Sequence, residues 1–177
     1  MSGLSRDGLG LDGFNGLSDR QRMNVLFGVC SSTIWARRVL AGAPFRDVDA
    51  LLDRADRVLA ELPDAEIDAA LDGHPRIGAT VDNASSAREQ AAVTTAADSV
   101  KAELVAKNAE YDAKFGYVYL VCASGRSAEE LLAILTERLH NDPETERRVM
   151  RSELAKINRL RLERLLREPP AAAAEAR

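Results

Sequence analysis

The sequence predicts an all-α fold, a multi-helix bundle in a single domain. Three observations carry that prediction. Ala, Leu, Glu and Arg are abundant while aromatic residues make up only 5%, and the abundant types lose little rotamer freedom in a helical turn. Apolar residues recur at i, i+3 and i+4 through much of the chain. Ser or Asp stands in front of several of these stretches, where its side chain can cap the first amide groups of a helix. At 177 residues, the chain is long enough to bury a sizeable core in one domain.

Residues 1–16, MSGLSRDGLGLDGFNG, are Gly-rich and lack an apolar period, so they read as a flexible extension. Ser18 offers an N-cap and Asp19 a first-turn negative charge. Met23, Leu26, Phe27 and Cys30 then follow helical spacing to about Ser31. A second helix carries Ile34, Trp35, Val39 and Leu40 and stops at Gly42 and Pro44. Between Asp47 and Leu62, Val48, Leu51, Leu52, Ala55, Val58 and Leu59 form an apolar stripe. Asp64 caps the short helix AEIDAALD, which Gly73 ends. Pro75 disfavours helical geometry at His74, which is expected to sit extended just past that helix.

SSAREQ opens the next helix, which runs with a break to about Lys114. The run FGYVYLVCA (115–123) is apolar and β-prone. Its periodicity fits both a buried extended segment and a helix start. Ser127 caps AEELLAILTERLH, and Asn141, Asp142 and Pro143 make a turn. Pro143 suits the first position of a long last helix reaching about Arg167. The tail EPPAAAAEAR reads as frayed. The helical domain is thus expected at 17–167, with a tail at 168–177 and no internal repeat.

The formal net charge is −4 and acidic and basic residues alternate, as on solvated helix faces. Without a basic run, nucleic acid is not an expected partner. The polar start does not have the form of a signal peptide. No apolar stretch approaches the ~20 residues that span a bilayer, so no membrane is expected either. The C-terminal EAR is not a peroxisomal address. The two cysteines, Cys30 and Cys122, lack metal-ligand spacing and do not suggest a disulfide framework. A reducing cytoplasm is the expected setting, and no metal is expected.

Few residues offer chemistry. Of the two histidines, His140 falls in the last turn of a helix, where a cation suits the dipole. His74 lies in the restricted turn Gly-His-Pro-Arg-Ile-Gly and reads either as a hydrogen-bonded loop residue or as a projecting acid/base. Ser86-x-x-Glu89 fits a capping box; Glu89 could instead pair with His74. Arg161 recurs with Met150, Leu154, Ile157 and Leu165 on one apolar stripe. A guanidinium there needs a protein carboxylate or a bound anion, or must snorkel to solvent. Cys122 in its apolar run reads as a small hydrophobe. No phosphate loop, nucleophile elbow or zinc cluster is present.

Several linked features give these residues a context: Cys30-Ser31-Ser32 followed by Trp35, Pro44-Phe45, His74-Pro75-Arg76-Ile77-Gly78, Ser86-x-x-Glu89-Gln90, Asn108-x-x-Tyr111, Phe115-Gly116-Tyr117 leading into Val121-Cys122-Ala123, and Leu160-Arg161-Leu162. Taken in order, from about Phe14 to Leu166, they make the chain resemble 2-oxo-4-hydroxy-4-carboxy-5-ureidoimidazoline (OHCU) decarboxylases, which form (S)-allantoin and CO2 in urate breakdown. The resemblance implies a helical bundle without metal or organic cofactor, usually a homodimer. It implies that His74 is the acid/base, with Glu89 and Arg161 beside it in the catalytic set. It places Pro75, the segment Ser86, Ala87, Arg88, Gln90, and the segment Tyr119, Leu120, Val121, Cys122, Ala123 around the substrate. A hydroxyisourate hydrolase is an expected pathway partner. Two departures stand out: the link from Gly78 to Ser86 is short, and Arg76-Ile77 stands where other members carry an acidic-apolar pair. The rival readings are a non-enzymatic helical interaction domain and an enzyme of this fold acting on another small polar substrate.

Overall fold

The computed structural model describes residues 8–78 and 84–167. The expectations for residues 1–7, for the 168–177 tail and for most of the Gly78–Ser86 link lie outside the described residues. Among the described residues ten helices and no strand are found. They are α1 (Gly10–Gly16), α2 (Asp19–Cys30), α3 (Thr33–Leu40), α4 (Val48–Ala60), α5 (Asp64–Leu71), α6 (Ala84–Glu89), α7 (Ala91–Thr94), α8 (Asp98–Phe115), α9 (Ala128–Arg138) and α10 (Pro143–Leu166). The all-α class read from the sequence is the one observed.

The described residues fall into two compact units, one from residues 8–63 with 158–167 and one from residues 64–157. In the first, local chemistry sets the helix ends. The Ser18 side chain accepts from the Gln21 amide in a full capping box, Ser32 accepts from Trp35 N, and Asp47 from Ala50 N. Ser31 ends α2 in the left-handed region with φ 48°. Trp35 is fully buried and its indole N–H donates to the Ala55 carbonyl at 3.1 Å, which ties α3 to α4. The Cys30-Ser31-Ser32-Trp35 motif is therefore structural here: a buried thiol, a turn, a cap and a core anchor.

The flexible extension expected over 1–16 is corrected for residues 10–16, which form α1. Phe14 is fully buried and its ring lies 6.3 Å from that of Phe45. Asn15 donates to the Phe45 carbonyl at 2.8 Å and accepts the Phe45 amide at 3.0 Å, and Leu9 N donates to Leu165 O. Burial of one aromatic and a side chain that mimics a backbone partner order a Gly-rich stretch of weak intrinsic helicity.

The second unit is built on a core of Leu104, Tyr111, Tyr119, Val121, Leu131 and Leu135 with their neighbours. Gly116, φ +79°, ends α8 in a left-handed cap. The chain then runs without helix from residue 117 to 123, resolving the open reading of FGYVYLVCA. Tyr119, Val121 and Ala123 belong to the core cluster, whereas Leu120 and Cys122 between them do not. That period of two is the signature of an extended chain.

Candidate active site

The loop that carries His74 is held at every turn. α5 stops at Leu71, and the His74 amide closes the end by donating to Leu71 O at 2.9 Å. The His74 ring is buried, 8% exposed, with Nδ1 2.9 Å from the Ala70 carbonyl. A carbonyl oxygen only accepts, so Nδ1 carries the proton and Nε2 is the basic nitrogen of the neutral ring. The tautomer is thus set at Nδ1 by a backbone carbonyl.

Beyond His74, Arg76 makes a side-on ion pair with Asp112 of α8 through both Nε and Nη2. Ile77 is buried and its carbonyl accepts from the Asn108 amide at 3.2 Å; Asn108 also donates to Leu104 O at 2.8 Å. Gly78 has φ +86°, a conformation L side chains rarely adopt. Its N–H donates to Gln90 Oε1 at 2.9 Å. The Asn108-x-x-Tyr111 and Gln90 motifs therefore work on this loop from α8 and from the end of α6.

The Ser86 capping box is not formed. α6 begins at Ala84, so Ser86 is inside the helix and Glu89 is its last residue. Ser86 and Gln90 are buried, while Ala87 and Arg88 are exposed. The Gln90 carboxamide spends its oxygen on Gly78, leaving its N–H donors as the part that could read a ligand carbonyl.

Glu89 and Cys122 are electrostatic neighbours. Burial first, then the Glu153 carboxylate and more weakly Glu89, push the Cys122 thiol up. A thiol so placed is a poor nucleophile. The main chain around it is gripped from α9, α10 and the turn before α9. Arg138 Nη1 donates to Leu120 O at 2.7 Å, Glu153 Oε2 accepts the Cys122 amide at 2.8 Å, and Arg126 Nε donates to Cys122 O at 3.2 Å. Arg138 is in turn paired with fully buried Glu146, Nε to Oε1 at 2.8 Å, and the Tyr111 hydroxyl donates to the same carboxylate oxygen. Tyr119 sits under the Arg138 guanidinium, 4.9 Å from it, and donates to Leu131 O.

Arg138, Glu146 and Glu153 were missed by the sequence reading. A signal was there. Arg138 follows Leu131 and Leu135 at spacings of 4 and 3, and Glu146, Met150, Glu153 and Ile157 recur at 4, 3 and 4. This is the pattern that flagged Arg161. In the first unit Arg161 is 9% exposed, among buried Leu162 and Leu165, and its Nη1 donates to the Val29 carbonyl at 3.0 Å. That burial rules out snorkelling. Its charge also reaches Cys30, whose thiol burial nonetheless pushes up to about 11. His140 is exposed, in keeping with a surface role.

A cleft of about 650 Å³ borders the loop. It is lined by Asp68, Asp72, Arg76, Asp112 and Tyr117 and shares only His74 and Pro75 with the predicted set. Among the described residues no group of three His, Cys, Asp or Glu could hold a metal ion.

Fold and loop together define an all-helical protein that presents one oriented imidazole from a rigid turn. A family model described as OHCU decarboxylase matches residues 15–163. The uric acid degradation bifunctional protein TTL of Arabidopsis thaliana is 29% identical over 144 residues, covering 77% of this chain and 44% of that protein. The OHCU decarboxylase of Amia calva is 34% identical over 92 residues, 52% of this chain and 53% of that one. The chain thus spans about half the length of these relatives. A crystal structure of OHCU decarboxylase in the presence of (S)-allantoin superposes with a TM-score of 0.73 at 27% identity, covering 85% of this chain and 99% of that one. The chain belongs to the OHCU decarboxylase family.

Proposed function

We propose that this chain converts OHCU to (S)-allantoin and CO2. The observation that supports it most is the combination of family membership with the likeness to a decarboxylase crystallised with (S)-allantoin. The substrate's chemistry explains how so few catalytic groups suffice. When the bond to the carboxylate breaks and CO2 leaves, the electron pair passes into the adjoining ring C=N, so the substrate is its own electron sink, the role other decarboxylases give to an organic cofactor. The protein has to bind, orient and move protons on one face.

His74 Nε2 is the proton carrier in this reading. It either takes the hydroxyl proton from the carbon that loses CO2 or delivers a proton to the ring carbon beside it. Glu89 stabilises the charged form of that imidazole. Arg161 grips the carboxylate or an adjacent carbonyl with its paired N–H groups. Its contribution to rate is larger if it favours negative charge developing on the ring, because ground-state binding alone does not speed chemistry. Pro75, the 86–90 segment and the main chain of 119–123 form the walls, with Gln90 and backbone amides reading the ureido and ring amides. The reading includes a homodimer in the cytoplasm without metal or organic cofactor. Relatives named as bifunctional uric acid degradation proteins support a link to the enzyme that supplies the substrate, a hydroxyisourate hydrolase. No helix among the described residues is long and apolar enough to cross a membrane.

The test is to generate OHCU in situ from urate with upstream enzymes, add the chain and follow allantoin by circular dichroism. (S)-Allantoin is expected to form faster than the spontaneous racemic product, and equal rates would overturn the proposal. His74→Asn, compared at equal fold, is expected to lose ~10²–10⁴-fold in rate, the usual contribution of a general acid/base. A loss of only a few-fold would remove His74 from the mechanism.

A further inference from the structure

The segment from Tyr119 to Ala123 has two main-chain edges, and they are treated differently. In an extended chain the N–H and C=O of residues i and i+2 project to one side and those of i+1 to the other. On the first side Arg138 takes Leu120 O, Glu153 takes Cys122 N and Arg126 takes Cys122 O, while on the second the Ala123 carbonyl accepts from Arg126 N at 3.1 Å. Val121 also lies on that second side. It is 3% exposed, yet among the described residues its N–H and C=O meet no hydrogen-bond partner. A backbone donor and acceptor withdrawn from solvent without partners are costly, and native structures leave them so only where something else supplies the bonds.

We propose that Glu153 is a positioning residue for the decarboxylation. It holds the Cys122 amide so that the N–H and C=O of Val121 face the ligand as a fixed donor–acceptor pair. A donor beside an acceptor is the complement of a cyclic amide or ureido edge, which carries the same two groups in the opposite sense. Glu153 is built for the task. Its carboxylate is nearly buried, with Oε2 on Cys122 N and Oε1 on Lys156 Nζ at 2.6 Å, so its charge is balanced and its orientation fixed. Arg138 fixes the preceding peptide at Leu120 O and is itself fixed by Glu146. The inference rests on the decarboxylase reading and deepens it.

The experiment compares the full chain with Glu153→Gln and Glu153→Leu in the coupled OHCU assay, with melting temperature measured alongside. Gln keeps an oxygen where Cys122 N–H needs it, so kcat/KM is expected within about threefold of the parent. Leu removes the acceptor and is expected to raise KM at least tenfold per folded molecule, with a smaller change in kcat. Equal kcat/KM in Glu153→Leu and the parent would overturn the proposal, as would equal losses in both variants, since the acceptor would then not be what matters. Should Glu153→Leu not fold, the 15N-labelled parent decides. Titrated with (S)-allantoin, it is expected to move the Val121 amide resonance beyond its neighbours, and a stationary Val121 amide overturns the idea. An inactive parent overturns the decarboxylase reading itself, whereas an active parent indifferent to Glu153 overturns only this inference.

Discussion

His74 and Cys30 show how one contact or one environment decides a residue's chemistry. For His74 it is the Ala70 carbonyl, which spends the Nδ1 proton and leaves Nε2 as the base. For Cys30 it is full burial, against which the nearby Asn158 and Arg161 act only weakly, so the thiol rises from 9.0 to about 11. The folded state therefore holds this proton more tightly than the unfolded chain. The associated stability is complete below pH ~9 and drains away as pH climbs through ~11, in all roughly 3 kcal/mol at about 1.4 kcal/mol per pKa unit. Urea unfolding at pH 8 and pH 11 is expected to show Cys30→Ala losing less stability over that interval than the parent. Parallel losses in the two proteins would refute the assignment, since the buried tyrosines titrate in both.

At the scale of elements, caps are local: Ser18 and Ser127, legible as caps in the sequence, and Ser32 and Asp47, found only in the structure, each accept from an amide three residues on. The segment 117–123 is different. Among the described residues no ladder supports it, and α9 and α10 hold it through the Arg138–Glu146 pair and Glu153. Glu146 is fully buried and also receives Asn141 Nδ2 at 2.8 Å and the Tyr111 hydroxyl. Arg138→Met would leave that carboxylate buried without its cation. A loss of about 3–5 kcal/mol is expected in denaturant titrations, with much of it recovered in the double variant Arg138→Met, Glu146→Leu. If the double variant is as unstable as the sum of the singles, the pair is not coupled as described.

For the molecule as a whole, the proposed chemistry asks the protein for orientation and proton movement, since the substrate supplies its own electron sink. Exhaustive dialysis against EDTA is accordingly expected to leave the rate of (S)-allantoin formation unchanged. A loss restored by adding back a divalent metal would show that the substrate does not act alone as electron sink. The same view explains why candidate site residues are spread along the chain. His74 and Pro75 sit past α5, Gln90 past α6, Cys122 past α8, and Arg161 on α10. Each was legible by a different rule: proline beside histidine, a motif after a helix, an apolar run, and a charge on an apolar stripe.

Local physics therefore let the sequence determine the helices, their caps, the break at His74-Pro75 and the family. Caps act over three residues and apolar stripes over a turn or two, so their causes lie within reach along the chain. Tertiary structure alone decided that α1 exists, that Ser86 is not a cap, that the Ala70 carbonyl takes the imidazole proton at Nδ1, and that Arg138 and Glu153 hold the 120–122 peptides. Each of these depends on partners that the sequence does not place in space. Asn15 meets Phe45 30 residues on, and Cys122 meets Glu153 31 residues on. Ala70, though near in sequence, becomes the partner of His74 only because α5 ends where it does.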